Sequence, residues 1–145
     1  MIHAVVEGSG MPLNARVSPA NGNERDEALL ALDEIRVHDG CRGRPRKRLA
    51  RISGDKGYDS KEMRKSLRAR GMQPEIPKRK LRGRKLSGRP LKRIVKRYVV
   101  ERDFAWMQRK FRRVVVRWER LSTVFYGFIM LAIACMWVQR MGLMG

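Results

Sequence analysis

Cysteine and histidine are scarce in this chain. Its 145 residues hold two cysteines, Cys41 and Cys135, and two histidines, His3 and His38. Neither cysteine has a partner at metal-ligand spacing, which excludes a zinc knuckle or ribbon and predicts two reduced thiols. Neither histidine has an acid or a nucleophile at a suggestive spacing, so none is assigned a catalytic role. Acidic residues are missing from one long stretch. Between Glu75 and Glu101 there is none, against eleven Lys or Arg. The first residues, Met1 to Glu7, lack a basic region ahead of their apolar residues, so no signal peptide is expected. Long apolar runs are also few. Val124 to Val138 is apolar throughout but shorter than the ~20 residues that cross a bilayer, although Leu121, Ser122 and Thr123 lengthen it. A buried C-terminal helix is the expectation, with a membrane-associated helix as the alternative.

Positive charge is what the chain has in excess. The formal net charge is +20, unevenly placed. Residues 1–40 carry three basic and seven acidic residues, net −4; residues 41–120 carry thirty basic and seven acidic, net +23. A block of that charge repels itself unless counterions or a polyanion neutralise it. Nucleic acid is the expected partner, with affinity that falls steeply with salt. A solvated basic surface or ribosomal-type tail is the bland alternative.

The pattern of residues predicts a single α/β domain or part of one. Ile2–Val6 and Leu13–Val17 flank a Gly-rich turn and read as a β-hairpin. Asn23 is a good N-cap for a helix from Glu24 to Arg36, with Glu24, Asp26 and Glu27 in its first turn. A basic loop, 38–48, leads to a short strand, Leu49–Ser53. Ser60 caps a helix to Arg70 that Gly71 stops, and Gln73–Ile76 forms another strand. Residues 78–90 are a basic linker. Nothing from Leu91 to about Glu119 breaks a helix, and Ser122 or Thr123 caps a last one through Gln139, with Gly142 beyond it. The order implies a mixed sheet with helices packed on it.

Two carboxylates stand out. Asp55 lies just past a strand end, where α/β folds present catalytic groups, although an Asp there is commonly a turn former or helix cap. Asp59 and Ser60 read as caps for the next helix. Glu101 interrupts the basic run. At about 100° per residue it shares a helix side with Ile94, Arg97, Tyr98, Phe104, Ala105 and Gln108, a partly apolar face expected to turn toward the sheet. There it needs a partner, a proton or a metal. Pairing with Arg97 at i−4 is one reading; a divalent metal shared with Asp55 is the other. The aromatics Tyr98, Phe104, Trp106, Phe111 and Trp118 lie along this basic segment. Core packing accounts for most of them, and Trp106, facing away from Glu101, is the best candidate for exposure and base stacking. Arg109, Lys110, Arg112, Arg113 and Arg117 offer phosphate contacts.

Ser53-Gly54-Asp55-Lys56-Gly57-Tyr58-Asp59 resembles the A-D-K-G-Y-D block of bacterial insertion-sequence DDE transposases, in the branch with a Y-R-E-K signature. Val100-Glu101-Arg102-Asp103-Phe104-Ala105-Trp106 with Phe111-Arg112-Arg113 resembles the family's V-E-R-x-F-A-W and F-R-R block. Ile2 to Leu13 resembles the family's second and third strands, and Ile76-Pro77 the I-P closing a later one. The resemblance implies an RNase H-like mixed sheet flanked by helices, truncated before the second strand. Residues 1–120 would be the partial catalytic domain, and 121–145 an apolar helix packed on it. It also implies Mg²⁺ or Mn²⁺ bound by Asp55 and Glu101, nicking at transposon ends and strand transfer into target DNA. Arg97 matches the signature Arg; Lys56, Arg109, Lys110, Arg112 and Arg113 would join it on DNA. The signature Tyr and Lys fall at Ile94 and Gln108, two departures that bear on handling of the transposon end. Glu7 matches a position that is not catalytic.

The family's first catalytic Asp precedes Ile2, so the chain alone is expected to be inactive: a truncated or split-frame transposase subunit. Its expected setting is the bacterial cytoplasm, on the nucleoid, self-associated or joined to the missing N-terminal portion. A sheet without its central strand exposes edges, so poor solubility is expected. The alternative is a non-catalytic DNA-binding remnant or inhibitor of the full-length enzyme. A small membrane-associated protein is the third possibility.

Overall fold

The computed structural model describes residues 1–37, 42–45, 49–79 and 98–143, with the backbone of Arg97. They fall into two compact units, Met1–Ile35 with Tyr98–Gly145, and Arg36–Arg97.

The first unit is built on a hairpin. Strands β1 (Ile2–Val6) and β2 (Pro12–Val17) pair antiparallel, with Ala4 opposite Ala15 and Val5 opposite Asn14. The register shifts between Val5 and Val6. Gly10 turns the chain at φ +97°, a conformation that favours glycine. Side chains alternate between the two faces of the ribbon. His3, Val5, Asn14 and Arg16 share the face covered by α1 (Glu24–Asp33). There Asn14 Nδ2 donates to the Ala31 carbonyl at 2.9 Å, and Arg16 bridges Glu27 at 3.1 Å and also Glu34. The other face, with Ile2, Ala15 and Val17, joins the core of α5 (Ser122–Arg140).

That core gathers Met11, Ala15, Met107, Val114, Phe125, Ile129, Ala132, Ile133 and Met136. Along α5 the buried positions recur at helical spacing, and Trp137 Nε1 donates to the Pro12 carbonyl at 2.8 Å, tying the helix to β2. Its outer positions stay apolar and open, Val124 at 45% and Leu131 at 59% exposure. By length and composition α5 is apolar enough to cross a membrane. Its inner face is nonetheless core, as expected of a buried C-terminal helix. The capping expectation fails: Leu121 is the N-cap and no side chain bonds there. At the other end Gly142, at φ +72°, closes the helix through its N–H to the Gln139 carbonyl.

The long helix expected from Leu91 to Glu119 is not continuous. Residues 91–96 lie outside the described residues. From there α3 covers Arg97–Lys110 and a single further turn, α4, Arg112–Val115. Phe111, at φ −119° and ψ 86°, breaks the two apart. Val114–Val115–Val116 is a run of β-branched residues stiff at χ1, and Val116 is extended. Past the break Val114 and Phe111 stay on the core side, Val114 buried and Phe111 packed at its edge.

In the second unit, β3 (Arg51–Ser53) and β4 (Gln73–Glu75) pair in parallel, with α2 (Lys61–Ala69) as the crossover. Parallel neighbours require such a connection. Ser60 Oγ accepts from the Met63 N–H at 3.0 Å, and Gly71 ends the turn at φ +76°, both as the residues predict. Met63 and Leu67 are the buried stripe of α2. Helix α1 ends three residues before the expected Arg36. The linker at 80–90 lies outside the described residues. Where one mixed sheet was expected, the described strands form two two-stranded sheets, one antiparallel and one parallel.

Ile129 is fully buried and Leu131 is not. Ile129→Ala is expected to cost about 2–5 kcal/mol in urea denaturation, and Leu131→Ala less than about 0.5 kcal/mol. Equal losses at the two positions would show that α5 is not seated as described.

Candidate nucleic-acid interface and its carboxylates

Asp55 follows the end of β3 and is the N-cap of a 3-10 turn, Lys56–Tyr58; its Oδ1 accepts from the Lys56 N–H at 2.7 Å. The local reason is conformational, since extended backbone at Asp55 lets a short carboxylate reach the next amide. Lys56 beside it is exposed. Asp59, four residues on, is structural. Its carboxylate accepts from Arg64 Nε at 2.9 Å and from the Arg79 N–H at 2.6 Å, while Arg64 Nη2 also donates to the Ile76 carbonyl at 2.7 Å. Burial pushes its carboxyl up, but the Arg79 amide and the Arg64 guanidinium outweigh that and hold it below the usual carboxylate range.

Glu101 is on α3, in the first unit, and it is exposed. This corrects the expected burial of its helix face. Tyr98 is 56% exposed, and Ala105 and Gln108 are open too. The inward stripe is Val99, Asp103 and Met107, at intervals of four, because Val99 and Met107 are the aliphatic residues that reach the core. Phe104 is half-buried at its margin. Arg97 opens α3, and its side chain, like Ile94, lies outside the described residues, so its pairing with Glu101 does too.

Sequence reasoning missed Asp103. It is 2% exposed, and neither carboxylate oxygen has a hydrogen-bond partner. Burial raises its pKa to about 6, with Arg102 pulling the other way. The signal was present in the spacing with Val99 and Met107. Asp103 and Glu101 are two residues apart, about 200° around the helix, so they cannot share one ion.

The basic side of α3 is open. Arg109, Lys110, Arg112 and Arg113 are all exposed, as expected of phosphate-binding residues. Arg113 also holds Glu119 at 3.0 Å. Trp106 is 36% exposed, the outcome expected from its side of the helix, and Lys110 Nζ lies 4.6 Å from its ring centroid. Trp118 is 76% exposed. His3 is buried, its Nε2 2.7 Å from Ser18 Oγ; burial lowers its pKa against the pull of Glu27. Cys135 is a free thiol, and Cys41 lies outside the described residues. Among the described residues no group of three or more His, Cys, Asp or Glu is gathered to hold a metal.

The chain is thus polycationic and α/β, with one acid at a strand end and another on an exposed helix face. The chain belongs to the transposase DDE domain family, whose model matches residues 1–137. It is 37% identical over 129 residues to a Burkholderia cepacia protein named as a transposase for insertion sequence element IS402. That match covers 89% of this chain and 58% of the relative, so the chain spans little more than half the length of the curated relative. No solved structure matches it.

The Asp103 carboxyl has a usual pKa near 3.8 and a folded value of about 6. A raised acid favours the folded state when protonated. Its penalty is therefore absent below about pH 4, grows to pH 6 and is full above, about 3 kcal/mol at most. Asp103→Asn is expected to remove that fall. Urea midpoints of parent and variant should diverge from pH 4.5 to pH 7.5, the variant gaining. Parallel pH profiles would show Asp103 to be solvated or paired.

Proposed function

We propose that this chain is the C-terminal part of the catalytic domain of an insertion-sequence DDE transposase of the Y-R-E-K branch, RNase H-like in fold. Asp55 and Glu101 are two of its metal-binding carboxylates. The observation that carries the reading is the family match from residue 1 to 137, within which both acids fall inside basic surroundings. The sheets support the fold. Among the described residues β1 pairs with β2 alone and β3 with β4 alone. An antiparallel pair followed by a parallel pair joined through a helix is the pairing a mixed sheet with flanking helices uses.

Both acids present hard oxygen donors of the kind Mg²⁺ or Mn²⁺ takes, and Glu101 is open to solvent. The donor chemistry fits the metal, while the number falls one short of the usual three. When bound, the metal would activate the attacking oxygen and stabilise the leaving one. The chain's own part is to bring DNA to the acids. Lys56, Arg97, Arg109, Lys110, Arg112 and Arg113 take the phosphates, and Asp55 and Glu101 hold the metal side of the reaction. The last helix, α5, completes the core that it shares with the hairpin, α3 and α4 of the first unit. The third carboxylate comes from a segment corresponding to the part of the IS402 transposase that this chain does not match. The protein works in the bacterial cytoplasm on nucleoid DNA, self-associated or joined to that segment.

The purified chain is expected to bind DNA with a steep loss of affinity as salt rises, and to cut none in Mg²⁺. Joined to the segment from the relative, it should cut transposon-end DNA, with activity lost more than ~100-fold in Asp55→Ala or Glu101→Ala and binding retained. Cleavage that survives both substitutions sinks the assignment of the acids. A chain that binds no DNA sinks the reading altogether. Binding without cleavage in the joined protein leaves a DNA-binding remnant or inhibitor.

A further inference from the structure

Tyr98, Arg102, Trp106 and Lys110 occupy α3 at successive intervals of four. Each step turns by about 40°, so the four form one ladder on the outward side of the helix, aromatic and cation in alternation. The cations stack on the aromatics. Arg102 Cζ lies 5.9 Å from the Tyr98 ring centroid and Lys110 Nζ 4.6 Å from that of Trp106. Both cations are tethered from behind. Arg102 Nη2 donates to the Ser9 carbonyl at 3.0 Å, and Lys110 Nζ to Gln139 Oε1 at 2.7 Å. The rings are thus held in place and still exposed, Tyr98 at 56% and Trp106 at 36%.

Two ring-bearing residues kept open beside fixed cations need an explanation, because the core nearby takes Met107 and half-buries Phe104. Packing does not explain them. A pre-positioned ring is a platform for a flat partner, and little side-chain freedom is lost when one lands on it. The surrounding charge selects a polyanion. Duplex DNA presents phosphates to such a surface but keeps its base faces stacked inside. An unpaired strand presents both.

We propose that the Tyr98–Trp106 edge of α3 is a stacking site for unpaired nucleotides, so that this chain prefers single-stranded or frayed DNA to duplex. The proposal deepens the transposase reading and rests on it. Glu101 lies about 60° around the helix from Tyr98 on the same exposed side. A base stacked on Tyr98 therefore lies on the carboxylate's side, while Trp106 is turned about 140° away from it. Tyr98 and Trp106 are positioning residues, and Arg109 supplies phosphate contact along the same side.

The test uses the full chain and two fluorescent probes, an oligothymidine and a mixed-sequence duplex of equal length, titrated at one salt concentration by anisotropy. Trp106→Leu keeps apolar bulk and removes the larger ring; it is expected to weaken oligothymidine binding roughly tenfold while duplex binding stays within about twofold. Trp106→Phe should recover most of the loss, and Tyr98→Leu should add to it. Equal losses on both probes, or no loss on the oligothymidine, overturn the stacking site and leave the transposase reading standing. Binding to neither probe overturns both.

Discussion

The inner face of α5 is what the first compact unit depends on. Phe125, Ile129, Ala132, Ile133 and Met136 form a continuous stripe with no charged residue between Arg120 and Arg140. Burying such a stripe is worth about 1.5–3 kcal/mol for each large side chain. Among the described residues no other helix is as long and apolar. The hairpin alone is a two-stranded ribbon of marginal stability. With α1 covering one face and α5 the other, it becomes the middle layer of a packed unit. Helices α3 and α4 then take their places through Met107 and Val114, which reach the same core. The position of Glu101 on α3 is thereby set by the seating of Met107 in the core.

Concentrating apolar surface in one helix lets the remainder be so strongly basic. Several of the chain's acids neutralise particular guanidinium groups. Glu27 and Glu34 hold Arg16, Asp59 holds Arg64, and Glu119 holds Arg113. Exposed pairs of this kind contribute little to stability. Arg64 differs, since its donation to the Ile76 carbonyl also anchors the chain after β4. On α3 and α4, Arg102, Lys110 and Arg113 are likewise tied to neighbouring groups, while Arg109 and Arg112 are exposed.

Where local chemistry decided the outcome, the sequence was legible. Asn23 and Ser60 cap their helices because short polar side chains reach the first free amides. Gly71 and Gly142 end theirs because those positions need positive φ. The hairpin follows from alternation about a Gly-rich turn. Illegible features were those settled by competition for the core. Periodicity allowed one helix through Glu119, but the chain breaks at Phe111 and is extended by Val116, the last of three β-branched residues in a row. Glu101 was assigned to the inner face because Tyr98, Phe104 and Ala105 make a plausible apolar side. Val99 and Met107 made a better one. The chain's family was legible from the blocks around Asp55 and Glu101, which no single pattern of hydrophobicity contains.

The two carboxylates of α3 show how position, more than residue type, assigns a role. Asp103 was drawn inward with Val99 and Met107 and lost its water without gaining a donor. A carboxyl in that setting holds its proton more tightly, and an ion could reach it only by opening the core. Glu101, on the opposite side of the same helix, keeps access to solvent and stands among side chains that attract phosphate. A metal ligand for a polyanionic substrate must be reachable from the side where that substrate lies. Glu101 meets that requirement and Asp103 does not, although Asp103 is the more perturbed group. Perturbation here marks a cost of folding, and in the proposed transposase the exposed acid, not the perturbed one, is the metal ligand.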